Sequence, residues 1–176
     1  MKEKSFCKIS YRALEPDDIS QIYLWENDLE ICQVSLSKLP FSKYFLESYI
    51  SQAHLSIQES GQFRFMLLDK DKHTIGCVDL FDYEAVHRRA GIGILIDSNF
   101  RSLGYASEAI QLMKNFAFDQ LGLKQIYCTV GSKNIPSLRL FTSQGFLKIG
   151  LRKDWMFNNG IFTDVIDFQC INSCGL

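Results

Sequence analysis

Residues 94–107 read Ile-Leu-Ile-Asp-Ser-Asn-Phe-Arg-Ser-Leu-Gly-Tyr-Ala-Ser, and they join the two clearest elements of the chain. The almost wholly apolar run 89–96 leads into them, as expected of a strand that is buried on both faces. A stripe of apolar residues at helical spacing follows between Leu103 and Leu121, and Gly122 stands where such a helix would end. This part of the chain is therefore predicted to be a buried strand, a short loop and a long helix.

The start of this helix is a candidate anion site. Backbone N–H groups at a helix N terminus have no partner within the helix, and the helix dipole attracts negative charge there, which suits a phosphate. Gly104 would let a ligand approach the backbone closely, and Arg101 could donate two hydrogen bonds to a phosphate. On spacing alone, a plain strand–loop–helix connection that contains a glycine is an equally good interpretation.

Other phosphate-binding motifs do not fit this chain. The sequence has no G-x-x-x-x-G-K-[ST] stretch. Gly91 and Gly93 lie within the predicted strand instead of after it, and no third glycine follows at dinucleotide-binding spacing. These two glycines therefore indicate close backbone packing or a bulge.

The remaining periodicity predicts one mixed α/β domain that spans residues 1–176 and has its core at about 7–171. A chain of this length can bury a core without disulfides or metals. Strands are predicted at residues 7–14, 63–68, 74–81, 89–96, 123–130, 146–151 and 163–170. Helices are predicted to open at residues 15–18 and to cover 42–56, 103–121 and 136–144. The charged stretch 69–73 is predicted to be a hairpin turn.

The composition argues against several classes of function. Nineteen basic and 20 acidic residues give a net charge of −1, without the basic excess of nucleic-acid-binding proteins. There is no signal-peptide pattern and no apolar run of membrane-spanning length, so a cytoplasmic protein without a membrane partner is predicted. The six cysteines lack zinc-site spacing, so no metal is expected. Cys77, Cys128 and Cys170 lie in apolar runs and are expected to be reduced core thiols.

Two motifs resemble those of a known family. Residues 101–106, Arg-Ser-Leu-Gly-Tyr-Ala, match the [Q/R]-x-x-G-x-[G/A] pyrophosphate loop of the GNAT superfamily of N-acetyltransferases. Residues 134–146 resemble the N-x-x-[AS]-x-x-L-[YF]-x-x-x-G-F helix of that family, and the two motifs have the family's order and spacing. Weaker similarity at residues 86–90 and 155–160 indicates the branch that acetylates polyamines and the N termini of ribosomal proteins. The chain is thereby identified as a member of the GNAT superfamily, with a resemblance that covers residues 7–170.

The resemblance implies the GNAT acyl-CoA N-acyltransferase fold, an α/β (α+β) arrangement whose mixed sheet of about seven strands is splayed in the middle and flanked by about four helices. It also implies acetyl-CoA as the co-substrate, with the pantetheine arm between strands 89–96 and 123–130. Asn134 has a second, simpler interpretation as the cap of the helix that follows it. The residues implied to bind the cofactor are Ile94, Leu95, Ile96, Arg101, Ser102, Leu103, Gly104, Tyr105, Ala106, Ser107, Asn134, Ser137 and Phe141.

The reaction that the resemblance implies is direct attack of a neutral amine on the acetyl thioester. A base takes the amine proton, and a tyrosine of the second motif protonates the leaving thiolate. This chain has Phe141 at the tyrosine position, and phenylalanine cannot donate a proton. General acid assistance contributes roughly 10²–10⁴-fold, so its loss slows the reaction without forbidding it. Tyr105 and Tyr127 are the nearest replacements, although packing roles explain both at least as well.

Carboxylates near the central strand are the candidate bases and acceptor-binding groups. Asp79 and Asp82 are predicted to be catalytic, and Glu26, Asp82 and Glu84 are predicted to bind the acceptor amine. Carboxylates in such positions are more often part of a solvated face or turn, and that interpretation stays open here.

These observations predict an acetyl-CoA-dependent N-acetyltransferase that acts on the primary amine of a small molecule such as a polyamine. One alternative is an acetyltransferase of the ribosomal-protein type, whose partner would be a peptide N terminus. The other is a weakly catalytic CoA-binding module, which Phe141 keeps open. A homodimer is common in this branch of the family, and it is an expectation on that ground alone.

Overall fold

The computed structural model describes residues 8–34 and 40–173. Strands occur within these residues at all seven predicted places, and they form one sheet. Cys7, the first residue of the first predicted strand, lies outside the described residues. The strands are β1 (Ile9–Ala13), β2 (Phe63–Asp69), β3 (Thr74–Glu84), β4 (Arg89–Ile96), β5 (Gln125–Gly131), β6 (Leu147–Asn158) and β7 (Ile161–Ile171).

The sheet is mixed, as predicted. Its order is β1-β2-β3-β4-β5-β7-β6, and β4 with β5 is its parallel pair. β6 extends well beyond its predicted end because it forms a long hairpin with β7. The hairpin turns at Asn159 and Gly160, whose φ angles of 49° and 78° are both positive, as a type I′ turn requires. Asn-Gly is the strongest short-range signal for such a turn, so the length of β6 could have been predicted.

Six α-helices accompany the sheet in the described residues, against the four or so that were predicted. The predicted helix 42–56 ends at Ser51, and a separate helix follows because Ser56 and Glu59 form a capping box that starts a new one. The other unpredicted helix has six residues, too few to show a helical period. The helices are α1 (Ile19–Glu26), α2 (Leu29–Val34), α3 (Lys43–Ser51), α4 (Ile57–Ser60), α5 (Tyr105–Asn115) and α6 (Ile135–Ser143).

α5 is the long helix that the sequence predicted, with shifted ends. It begins at Tyr105 because Gly104 adopts a left-handed conformation with φ of 87°. Its α-helical geometry stops at Asn115 and continues as a π-helical turn to Gln120. Gly122, with φ of 63°, ends the segment as predicted.

Apolar side chains cover both faces of the middle of the sheet. One face packs against α5, whose Ile110 and Met113 are completely buried with Leu80 of β3 and Ile92 of β4. Burying each such side chain stabilises the fold by roughly 1.5–3 kcal/mol. On the opposite face, α1 and α3 pack over β2 and β3. The buried residues there are Leu14, Ile22, Trp25, Leu46, Ile50, Met66 and Cys77.

The core cysteines agree with the prediction. Cys77, Cys128 and Cys170 are buried free thiols. Burial raises the pKa of Cys77 and of Cys128 to about 12, so both stay protonated and unreactive at neutral pH. Within residues 8–34 and 40–173, no helix has the length and hydropathy to span a bilayer.

Candidate active site

A fork between β4 and β5 is the central feature of the site. The two parallel strands are paired only at their first residues, where Arg89–Gly91 lies beside Gln125–Tyr127. Beyond that point they separate, although β4 stays paired with β3 as far as Ile96. Ile94, Leu95 and Ile96 therefore lie in the part of β4 that β5 has left. A gap opens there toward the carboxyl ends of the strands, where open α/β sheets generally bind ligands.

The loop at the open end of the fork connects β4 to α5. Asp97 organises it by accepting hydrogen bonds from Trp25 Nε1 at 2.8 Å and from the Asn99 backbone N–H at 3.0 Å. Burial opposes ionisation of Asp97, but these hydrogen bonds outweigh it and lower the pKa of the carboxyl. Trp25 belongs to α1, so the loop is fixed to the helix layer on the other side of the sheet.

The N terminus of α5 is accessible at this loop. In the described part of the chain, no side chain caps the helix, so its first N–H groups stay available to a ligand. A Cβ atom built on Gly104 meets no heavy atom within 4 Å, so the space in front of this residue is open. Residues 101–104 are exposed, whereas Tyr105, Ala106 and Ser107 are partly buried. An open, uncapped helix start beside a fork fits an elongated ligand with an anionic end.

Arg101 lies at the edge of the open space. Its Nε donates to the carbonyl oxygen of Ile96 at 3.1 Å, and its guanidinium lies 3.5 Å from the Glu30 carboxylate of α2. Both side chains are largely exposed, so this ion pair is weak and a phosphate could replace Glu30. This hydrogen bond ties the loop to the end of β4, and contacts of Ile94, Leu95 and Ile96 with pantetheine amides stay predictions.

The second motif forms α6. Asn134 caps this helix, because its Oδ1 accepts a hydrogen bond from the Ser137 backbone N–H at 3.2 Å. This is the simpler of the two roles that the sequence offered for Asn134. Contacts of Asn134 and Ser137 with a cofactor stay predictions.

Phe141 of α6 is a core residue. It is buried, and its ring centroid lies 5.1 Å from that of Phe146 and 6.3 Å from that of Phe168. The position where the family usually has a tyrosine is thus filled by a ring in an aromatic cluster, without a hydroxyl group.

One arginine holds two of the predicted carboxylates. Arg64 of β2 donates from Nε and Nη2 to both oxygens of Asp79, at 2.6 and 3.0 Å, and from Nη1 to Glu26 at 2.7 Å. Its guanidinium also lies over the ring of Tyr49, 5.6 Å from the centroid. The arginine side chain is only 14% exposed. Asp79 and Glu26 therefore connect α1, β2 and β3, and their predicted chemical roles would have to coexist with this ion-pair network.

Glu84 is also paired with cations. Arg89 Nη2 lies 2.6 Å from the Glu84 carboxylate, and His87 Nε2 lies 3.4 Å from it. All three side chains are substantially exposed, at the turn between β3 and β4. These basic side chains offset the negative charge of Glu84, which would otherwise attract a cationic acceptor.

Asp82 differs from the other three predicted carboxylates. It lies in a bulge of β3 between Phe81 and Glu84 with a positive φ of 48°, and it is exposed. Its hydrogen-bond partner is the Tyr127 hydroxyl, which donates to Oδ2 at 3.4 Å. Within residues 8–34 and 40–173 it has no cationic partner. Asp82 is therefore the carboxylate in this group whose charge is not compensated.

Residues 8–147 match the family described as Acetyltransferase (GNAT) domain, which is most of the chain. The chain belongs to this GNAT family. It is an N-acetyltransferase, and the seven-stranded sheet is that of the GNAT fold. The spermidine N(1)-acetyltransferase of Vibrio cholerae is 29% identical to this chain over 164 residues, which cover 90% of each protein.

Solved structures agree with this assignment. The spermidine N-acetyltransferase from Vibrio cholerae in complex with CoA and spermine superposes with a TM-score of 0.88 at 28% identity, over 94% of this chain and 96% of that one. A dodecameric structure of the spermidine N-acetyltransferase from the same organism, in an intermediate state, gives a TM-score of 0.79 at 28% identity, over 93% and 94% of the two chains.

Two features of this GNAT site were not predicted from the sequence. Arg64 is a single basic residue in an apolar strand, and no local pattern indicates that it pairs with residues 38 and 15 positions away. The second feature is the position of Phe81, whose ring lies over Gly91, where a Cβ atom would be 2.3 Å from the ring. Close packing was predicted at Gly91 and Gly93, and it is found at Gly91, whereas a Cβ atom on Gly93 would be 3.7 Å from its nearest neighbour, an ordinary contact. The sequence did not identify the Phe81 ring as the partner of Gly91.

Proposed function

We propose that this GNAT protein transfers the acetyl group of acetyl-CoA to a primary amine of a polyamine. The observation that carries the proposal is the uncompensated carboxylate of Asp82, hydrogen-bonded to the tyrosine at the closed end of the fork. Support also comes from the similarity to spermidine acetyltransferases along about nine-tenths of the chain.

The co-substrate would lie along the fork. Its pyrophosphate would bind the open helix start at Gly104 and the Arg101 guanidinium, and the pantetheine arm would extend along β4. From Gly91 to Asp97 the strand spans about 20 Å at ~3.3 Å per residue, so an elongated ligand held at the loop would reach the closed end. The thioester supplies an electrophilic carbonyl carbon, and the proposed acceptor side is the face that carries Asp82.

The charges on this face favour a cationic acceptor. Glu26 and Asp79 share the single cation of Arg64, which leaves that group with an excess of one negative charge. Asp82 adds a second uncompensated charge. Polyamines carry several positive charges, so this distribution would attract them and orient an amine toward the fork. Asp82 is then the group best placed to take a proton from the amine nitrogen.

Acetyl transfer to a panel of acceptors tests this function directly. Purified protein would be supplied with acetyl-CoA and with spermidine, spermine, putrescine, an alanine-initiated peptide or no acceptor, while release of CoA thiol is followed. We expect turnover with spermidine or spermine well above the rate without acceptor. Preferred turnover of the peptide would contradict the polyamine assignment. CoA binding without transfer to any acceptor would mean a binding module instead.

Asp82→Asn should weaken acceptor binding. It removes the uncompensated charge at nearly constant shape, and a hydrogen bond to a charged group is worth roughly 1.5–3 kcal/mol. We expect KM for spermidine to rise about tenfold, which corresponds to ~1.4 kcal/mol, while the Kd for CoA stays unchanged. The matched control is Asp119→Asn, which neutralises an exposed carboxylate in the π-helical turn after α5. An unchanged KM in Asp82→Asn would remove Asp82 from the acceptor site.

We also propose that the chain self-associates through the β6–β7 hairpin. The dodecameric relative supports assembly in general, and the surface is suggested by large apolar side chains that are each more than half exposed. These residues are Leu147, Ile149, Leu151, Trp155, Phe157, Ile161 and Phe162. Strand alternation divides these side chains between the two faces of the hairpin, so that Phe157 and Phe162 share one face and Ile161 lies on the other.

Phe162→Glu should reduce the assembly. Phe162 packs on Phe157 with ring centroids 4.8 Å apart, so a carboxylate there would place a charge beside an exposed aromatic ring of the proposed interface. We expect light scattering over a concentration series to show oligomers for the wild type and a lower mass for the variant. Val86→Glu changes an apolar residue at the β3–β4 turn that is even more exposed than Phe162, and it should keep the wild-type mass. A wild type that is monomeric at all concentrations would contradict the proposal.

A further inference from the structure

Tyr127 occupies the closed end of the fork. It is the last residue of β5 that pairs with β4, opposite Gly91. Its ring packs edge-on against Phe81, with centroids 6.4 Å apart, and its hydroxyl donates to Asp82 at 3.4 Å. Gly91 makes this arrangement possible, because any Cβ atom there would collide with the Phe81 ring. A phenol and a carboxylate thus form a hydrogen-bonded pair where the two strands separate.

Acetyl transfer requires two proton-transfer events. The amine nitrogen must lose one when its bond to carbon forms, and the sulfur gains one when the carbon–sulfur bond breaks. Phe141 cannot provide the second proton, and Tyr105 begins α5 at the opposite, open end of the fork. Tyr127 has a hydroxyl at the closed end, beside a carboxylate that can accept a proton.

We propose that Tyr127 and Asp82 act as a proton-transfer pair in this reaction, an inference that rests on the proposed function. As the carbon–nitrogen bond forms, the Asp82 carboxylate takes a proton from the amine nitrogen. As the carbon–sulfur bond breaks, the Tyr127 hydroxyl gives its proton to the sulfur. The protonated Asp82 then returns a proton to the Tyr127 phenolate. The net result is transfer of one proton from nitrogen to sulfur, and both side chains end as they began.

The surroundings of Tyr127 suit a proton donor. Among the described residues, the charged groups that act on it are Asp82 and Glu84 from β3 and Arg89 from β4. Partial burial and the negative charge of Asp82 raise the pKa of Tyr127, and Arg89 offsets only part of this effect. The phenol is therefore fully protonated at neutral pH, as an acid must be before it acts.

Tyr127→Phe tests the inference by kinetics. It removes the hydroxyl and keeps the ring against Phe81, so a packing role would survive. We expect kcat for spermidine at pH 7.5 to fall by about 10²-fold, the lower range for general acid catalysis, with an unchanged Kd for CoA. The deficit should shrink above about pH 9, because a thiol with a pKa of ~8.5 is then released as thiolate and the sulfur no longer has to gain a proton. Tyr83→Phe removes a hydroxyl from a neighbouring residue of β3 and is the matched control.

A second measurement examines the pair without any ligand. With ¹³C-labelled tyrosine, NMR would follow the titration of Tyr127, whose resonance is assigned by its loss in Tyr127→Phe. We expect Asp82→Asn to lower the pKa of that phenol, because the negative charge that opposes phenolate formation is removed. If the pKa of Tyr127 is the same in Asp82→Asn as in the wild type, the pairing of the two side chains is overturned.

The two levels of the proposal fail in different ways. An active wild type with an unchanged kcat in Tyr127→Phe would overturn the role of Tyr127 and leave the proposed function intact. A wild type that acetylates no amine would refute the proposed function, and the proton-transfer role would fall with it.

Discussion

Gly104→Asp should abolish measurable CoA binding, with Kd rising by at least about 100-fold, or ~2.7 kcal/mol. The residue has φ of 87°, and a side chain built there points into open space in front of the helix start. That space is where the pyrophosphate would lie, so the new carboxylate would both fill it and repel it. Calorimetric titration with CoA and acetyl-CoA measures the effect.

The control for this variant must separate the ligand effect from backbone strain. A residue other than glycine at positive φ costs on the order of 1–2 kcal/mol wherever it occurs. Gly61 has φ of 71° and also has no heavy atom within 4 Å of a built Cβ, but it follows α4 and is not part of the loop that starts α5. Gly61→Asp should therefore show similar destabilisation and normal CoA binding. If Gly104→Asp binds CoA like Gly61→Asp, the loop is an ordinary connection and the cofactor lies elsewhere.

The parts of the fold that the sequence predicted are those governed by local signals. The apolar run of β4, the helical stripe of α5 and the glycine at 122 each act over a few turns or less, and each is found where expected. The short helices α2 and α4 have too few residues to show such a period. The end of β6 is set by the Asn159-Gly160 turn, and the predicted strand end did not take that turn into account. The separation of β4 from β5 was predicted from the family resemblance, because no residue pattern indicates where two strands that are distant in sequence separate.

The predicted carboxylates show why nearness in sequence is a poor guide to a site. Asp79, Asp82 and Glu84 lie within six residues, yet each has a different partner. Strand alternation turns Asp79 toward Arg64 in the layer under α1 and α3. The bulge after Phe81 then changes the register, so Asp82 reaches Tyr127 while Glu84 pairs with Arg89. Neither the bulge nor the arginine pairing can be read from local spacing.

Arg64→Met should give the largest loss of stability among the substitutions considered. Arg64 makes three hydrogen bonds to Asp79 and Glu26 while only 14% exposed, and the two carboxylates are themselves 26% and 20% exposed. Methionine fills much of the same space but leaves two partly buried charges without a cation. Breaking a buried ion pair from one side costs about 3–5 kcal/mol, and the partial exposure places the expected loss near ~3 kcal/mol. Urea unfolding of the ligand-free protein measures it.

Arg89→Met is the matched control, since it removes the same functional group from an exposed pair. Arg89 and Glu84 are 46% and 40% exposed, and surface pairs of this kind contribute only about 0–1 kcal/mol. Arg64→Lys keeps the charge but cannot make the forked contact with Asp79, so its stability should lie between wild type and Arg64→Met. If Arg64→Met loses no more than Arg89→Met, water or protonation satisfies the two carboxylates without the arginine. Glu26 and Asp79 would then be able to bind a cationic acceptor themselves, and the acceptor site would extend from Asp82 toward α1.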